Sequence, residues 1–287
     1  MNFAEHRVET ADGPKVYVRD YAAEGNARGL PAICLHGLTR NSADFEVVAP
    51  EIAAQGRRVI AIDARGRGHS DNDPDPTRYR PDVYVGDVWR VMDTLGIPRA
   101  VFLGTSMGGI MTMLAAVTNS ARVAASILND IGAEVDPAGI ARIASYVGKA
   151  EPFASWDEAT AAVKAVQSVA FPGKDDDFWR TFTRRVARER ADGRIELAYD
   201  PAISNAFSAT PSAPPPSMMP LFEALATRPV LLIRGALSDL LSRDGVVAMQ
   251  RAKPDLEFVE VPNVGHAPTL EEPEARSAIA SFLAHVE

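Results

Sequence analysis

Cysteine is nearly missing from this chain. Cys34 stands alone among 287 residues, so an internal disulfide is ruled out and a reducing compartment is expected. It lies in the apolar run Ala32-Ile33-Cys34-Leu35, where a small buried hydrophobe is expected rather than a reactive thiol. Long apolar runs are missing as well. None approaches the roughly 20 residues of a membrane-spanning helix, so no membrane partner is expected. The opening Met1-Asn2-Phe3-Ala4-Glu5-His6 has neither a basic segment nor an apolar core, so a secretory leader is not expected and a cytoplasmic location is. Positive charge is in deficit: 30 Lys and Arg face 38 Asp and Glu, a net charge of −8. With no basic run either, nucleic acid is excluded as the expected partner. There is no internal repeat, and the one biased stretch is the proline-rich run from Pro211 to Pro220.

An apolar fraction of 46% and a charged fraction of 24% are present, ordinary values for a globular chain with a sizeable core. Short apolar runs alternate with helical patterns up to Asp130. Arg7 to Thr10 and Lys15 to Tyr21 read as a hairpin around Asp12-Gly13. Ala32 to Leu35, Arg58 to Ile62, Val101 to Leu103 and Val123 to Leu128 read as buried strands, with helices over Ser42 to Gln55 and from Tyr84 to Leu95. Strand–helix alternation predicts a doubly wound, mostly parallel α/β sheet. From residue 131 to 227 the pattern turns helical, over Pro137 to Gly148, Trp156 to Phe171 and Asp176 to Arg190. The basic cluster Arg184, Arg185, Arg188 and Arg190 reads as a solvated helix face. Alternation returns at Pro229 and closes with an amphipathic helix from Glu274 to Val286. The expected organisation is therefore a core of residues 1–130 and 228–287, with 131–227 inserted as a helical cap.

Chemistry concentrates at Gly104-Thr105-Ser106-Met107-Gly108, a G-x-S-x-G pattern between the Val101 strand and an apolar helix. A serine on so tight a strand-to-helix turn needs small neighbours, and the turn lifts its hydroxyl off the sheet onto a helix N-terminus. A serine hydroxyl needs a base, and the base needs a third group to orient it. Of the five histidines, His6 and His285 are near the termini, while His36 and His69 sit in glycine-containing turns. His266 follows the last strand, on the edge where a parallel sheet gathers its loops, and is the candidate base. Two acids keep the order Ser…Asp…His. Asp239 follows the Val230 strand, Asp130 the Val123 strand, and Asp239 is favoured because its loop neighbours the histidine loop along the chain. Oxyanion donors are expected at the N–H groups of Met107 and Leu38, with Gly37 beside them and His36 bracing that loop. Trp156, Phe171, Trp179, Phe207 and Met218 are the pocket candidates from the inserted block. Gly66-Arg67-Gly68 lacks the third glycine and the following helix of a dinucleotide loop.

Taken together, His36-Gly37-Leu38, the run Asp63 to Ser70, Gly104 to Gly109, the segment ending at Asp239, and Gly265-His266-Ala267-Pro268 resemble the α/β-hydrolase family. The resemblance covers nearly the whole chain. It implies an eight-stranded sheet with a helical cap after the sixth strand, and two-step acyl transfer through an acyl-enzyme on Ser106, without metal or cofactor. It also implies a small-molecule acyl substrate, a carboxylic ester or lactone. Cleavage of a C–C bond by the same residues, or a ligand-binding protein without chemistry, are the alternatives. Aspartate-nucleophile branches of the family do not fit Ser106. The oligomeric state is not expressed in these motifs.

Overall fold

A computed structural model of the chain describes residues 3–207 and 216–286. The strands are β1 (Ala4–Glu9), β2 (Lys15–Tyr21), β3 (Ala32–Leu35), β4 (Val59–Ile62), β5 (Ala100–Thr105), β6 (Val123–Asn129), β7 (Ala187–Glu189), β8 (Ile195–Leu197), β9 (Val230–Gly235) and β10 (Glu257–Val261). The helices are α1 (Val48–Ala54), α2 (Pro81–Thr94), α3 (Met107–Asn119), α4 (Pro137–Tyr146), α5 (Trp156–Gln167), α6 (Asp176–Val186), α7 (Met219–Glu223), α8 (Arg243–Ala252) and α9 (Pro273–Ala284). Eight strands form one sheet in the order β1-β2-β4-β3-β5-β6-β9-β10. β2 pairs antiparallel with β1 and β4, and every pair from β4 to β10 is parallel.

The central strands β3, β4, β5, β6 and β9 are buried at every position and mostly apolar, because both of their faces are covered. In β3, Ile33 and Leu35 enter one core layer and Ala32 and Cys34 the other. In β5, Phe102 joins the first layer and Val101 and Leu103 the second. Side chains of α2, α3 and α8 fill the first layer, and those of α1 and α9 the second. Each large side chain buried this way contributes about 1.5–3 kcal/mol. Cys34 is fully buried, and burial pushes its thiol pKa up.

Two expected helices come out differently. The stretch from Ser42 breaks into a 3-10 turn, Ser42–Phe45, and α1, because the Asn41 side chain caps the turn at Ala43. The helix predicted through Arg190 ends at Val186, and the chain turns into the β7–β8 hairpin. That removes the single solvated face expected of its arginines. Arg184 lies over the Trp156 ring at 3.7 Å, and Arg185 is drawn inward onto Glu46 and Glu271.

Among the described residues between β6 and β9, none joins the large sheet. This segment is stitched to the core by Arg185 Nε on Glu46 at 2.6 Å, Gly68 N–H on the Ala198 carbonyl at 2.7 Å, and Asp200 N–H on the Gly66 carbonyl at 2.8 Å. Residues 211–215 of the proline-rich run lie outside the described residues, and α7 begins inside the run, at Met219.

Candidate active site

The site stands where the parallel strands end. Ser106 follows β5, Asp130 follows β6, and the loops after β3, β9 and β10 supply Gly37, Ser238 and His266. Register keeps these ends level: Leu35 pairs with Gly104, Thr105 with Asn129, Asn129 with Ile233, and Gly235 with Val261.

Ser106 has φ 51 and ψ −114, a strained conformation for a residue with a side chain. The flanking glycines allow it. A Cβ on Gly104 would strike the Gly108 carbonyl, and a Cβ on Gly108 the Leu35 carbonyl oxygen. Ser106 N–H donates to the Asn129 carbonyl at 2.9 Å, and the Asn129 amide donates to Thr105 Oγ1 at 3.0 Å and the Pro268 carbonyl at 2.9 Å. Asn129 thus ties the serine turn to the histidine loop, a role its place at the end of an apolar run did not reveal.

Ser106 Oγ lies 2.9 Å from His266 Nε2, and His266 Nδ1 lies 2.8 Å from Asp130 Oδ2. With Nδ1 donating to the carboxylate, Nε2 accepts the serine hydroxyl. The carboxylate on His266 is therefore Asp130, and the preference for Asp239 is corrected. Proximity along the chain misled: β6 is the neighbour of both β5 and β9, so the residue just after β6 sits between the serine turn and the histidine loop. Asp130 is wholly buried. Its Oδ1 accepts the Gly235 N–H at 2.9 Å, and Ser238 Oγ donates to Oδ2 at 2.6 Å. The side chain of Asp239 is 34% exposed and is held outward by Arg142, whose Nε and Nη2 reach it at 2.5 and 2.8 Å. That guanidinium keeps the Asp239 carboxyl below its usual pKa range.

Two N–H groups near Ser106, those of Leu38 and Met107, have no hydrogen-bond acceptor among the described residues. A Cβ on Gly37 would come within 3.8 Å of the Ser106 Cβ, which places the Leu38 loop against Ser106. His36 is buried, donates from Nδ1 to the Gly37 carbonyl at 2.7 Å, and accepts the Ala64 N–H on Nε2 at 3.0 Å. Burial holds its pKa below the ordinary histidine value, which suits a neutral brace. Arg67, fully buried, donates from Nε to the Leu38 carbonyl at 3.0 Å and from Nη1 to Tyr84 at 2.7 Å. Its motif was visible in the sequence, but its hold on the Leu38 loop was not.

A cavity of about 70 Å³ opens on Ser106 and His266, bounded by Gly37, Leu38 and Phe171 and by Ile143, Tyr146 and Gln167 of α4 and α5. Of the pocket candidates whose side chains are described, only Phe171 lines it. Trp179 is buried in an aromatic cluster with Phe171, Phe178 and Phe182, Trp156 packs against Arg184, and Met218 packs on the core behind α7. The side chain of Phe207 lies outside the described residues. Bulk alone singled out those residues, and bulk tracks packing more than lining.

A hydroxyl, an imidazole and a carboxylate in line at the C-terminal edge of a doubly wound sheet define a hydrolase of the α/β class. The chain belongs to the alpha/beta hydrolase fold family, whose model matches residues 31–273. It is 35% identical to a 3-hydroxybutyrate-oligomer hydrolase from Cupriavidus necator, over 86% of each chain. It is 27% identical to a 2-(acetamidomethylene)succinate hydrolase from Mesorhizobium japonicum, again over 86% of each. The crystal structure of an alpha/beta hydrolase from Novosphingobium aromaticivorans superposes with a TM-score of 0.91 at 40% identity, covering 99% of both chains. The relatives are hydrolases, and this chain is an enzyme of that kind. Among the described residues, no helix is long and apolar enough to cross a membrane.

Proposed function

We propose that the protein is a serine hydrolase that cleaves a small carboxylic ester, lactone or related acyl compound through an acyl-enzyme on Ser106. The observation that carries this reading is the unbroken line of contacts from Ser106 Oγ through the His266 ring to Asp130. Ser106 Oγ attacks the acyl carbon as its proton passes to His266 Nε2, and Asp130 steadies the imidazolium through Nδ1. The oxyanion forms against the N–H groups of Leu38 and Met107, which have no acceptor among the described residues. His266 then gives its proton to the departing alkoxide. Water enters, loses a proton to His266, and attacks the acyl-enzyme. The carboxylic acid leaves as the proton returns to Ser106 Oγ.

In this reading residues 131–227 act as a cap over the site, and α4 and α5 bring Ile143, Tyr146 and Gln167 to the cavity wall. One relative is named for hydrolysis of 3-hydroxybutyrate oligomers, which are esters, and this favours an oxo-ester substrate. The test is Ser106→Ala. Turnover of p-nitrophenyl acetate should fall by roughly four to six orders of magnitude, and labelling by a fluorophosphonate should vanish. A purified variant that still turned over the ester at the wild-type rate would end the proposal.

A further inference from the structure

Arg40 lies three residues beyond Gly37, and its N–H donates to the Gly37 carbonyl at 3.1 Å. A Cβ on Gly37 would stand 3.5 Å from the Arg40 Cγ and 3.8 Å from the Ser106 Cβ, so the arginine stem and the nucleophile flank one spot. The guanidinium is mostly covered. Its Nε and Nη2 hold Asp44 at 3.0 and 2.6 Å, and its carbon sits 4.0 Å above the centre of the Phe182 ring. Nη1 has no acceptor among the described residues. Two other covered arginines, Arg65 and Arg185, are used more fully. Arg65 serves Asp12, Asp73 and Asp87, and Arg185 serves Glu46 and Glu271.

Arg40 also stands at a neck. With Thr39, Tyr146 and Gln167 it borders both the Ser106 cavity and a second chamber of about 300 Å³. Ala162, Val163, Val166, Phe182, Val186 and Leu197 make most of that chamber apolar. Lys149 at its rim already donates to the Ser145 carbonyl at 2.9 Å. A hydrocarbon substituent suits the chamber, and an anionic oxygen suits the neck. Arg40 Nη1 is not among the sealed, unpartnered polar atoms of the interior, so it meets water in the cavity, and a carboxylate can replace that water with a stronger, charge-assisted hydrogen bond.

We propose that Arg40 is the specificity-determining residue of this site, and that through Nη1 it binds a free carboxylate on the substrate while the apolar chamber takes a short alkyl substituent. The preferred substrate is then an ester carrying an acid group a few bonds from the scissile carbonyl. This rests on the serine-hydrolase reading above.

The linear dimer of 3-hydroxybutyrate and its methyl ester differ only in that carboxylate. Wild-type kcat/KM should favour the free acid by about tenfold or more. In Arg40→Gln that preference should fall to within about threefold of parity, and Arg40→Lys should restore part of it, because the charge but not the fork is kept. Equal kcat/KM for the two dimers in the wild type, or an unchanged preference in Arg40→Gln, would overturn the assignment. A measurement on the wild type alone guards against a variant that fails to fold. Butyrate should inhibit p-nitrophenyl acetate hydrolysis competitively, about tenfold more strongly than methyl butyrate, and equal inhibition by the two would count against Arg40. Wild-type protein inert toward p-nitrophenyl acetate and both dimers would instead remove the underlying serine-hydrolase reading.

Discussion

In the proposed mechanism Ser106 Oγ becomes a competent nucleophile only when an oriented base takes its proton, so at the scale of single residues the decisive contact is the one that orients His266. Asp130 makes that contact from a wholly buried position with two further hydrogen bonds, whereas Asp239 is occupied by Arg142. In the proposed mechanism Asp130→Asn therefore lowers kcat by about 10³–10⁴, because the amide favours the wrong imidazole tautomer. Asp239→Asn should leave kcat within about tenfold of the wild type, since only an ion pair at the margin of the site is lost. Steady-state kinetics of both variants on one ester checks the pair. His36 gives a pH signature. Its folded pKa is depressed by burial, so the unfolded chain binds a proton there first. The stability it contributes is fully present above the ordinary value of about 6.5 and is lost as pH falls from there through the folded value. The thermal midpoint should drop on acidification across that window, and His36→Asn should flatten the drop.

At the scale of elements, the serine turn works because β5 and α3 meet with almost no room between them. Gly108 packs its α-carbon against the Leu35 carbonyl of the adjoining strand, and neither backbone can withdraw without breaking the sheet register. Gly108→Ala should cost on the order of 3 kcal/mol in urea unfolding, well above an ordinary surface substitution, and should lower activity with it. The spacing of that motif was legible because the geometry is local: strand, turn and helix are contiguous, and small residues at fixed offsets record the close approach. The β7–β8 hairpin was not legible in the same way. Its three-residue strands leave too short a pattern, and the helix before it ends where Arg185 is drawn inward by two carboxylates distant in the chain.

At the scale of the whole molecule, the segment between β6 and β9 shares the Ser106 cavity with the sheet edge and is pinned beside it by Arg185. Arg185→Ala would leave Glu46 and Glu271 without their cation and loosen that junction. The expected outcome is a KM raised more than kcat is lowered, with faster proteolysis within residues 137–186. The cost in global stability should be on the order of 1–3 kcal/mol, since both carboxylates keep some access to water. Unchanged KM and unchanged proteolysis would show that the junction does not depend on this pair.

The strand–helix alternation of the large sheet, the serine turn, the histidine after the last strand and the glycines that permit them were determined by the sequence by itself, because each is encoded by neighbours within a few positions. Which carboxylate meets His266, which arginine braces the Leu38 loop, and which side chains line the cavity were decided only by the tertiary structure. Those facts depend on strand order, and β6 lies between β5 and β9 although more than a hundred residues separate Asp130 from Asp239. Adjacency in a sheet is set by hydrogen bonding between strands, and nothing in the linear spacing of two aspartates records it.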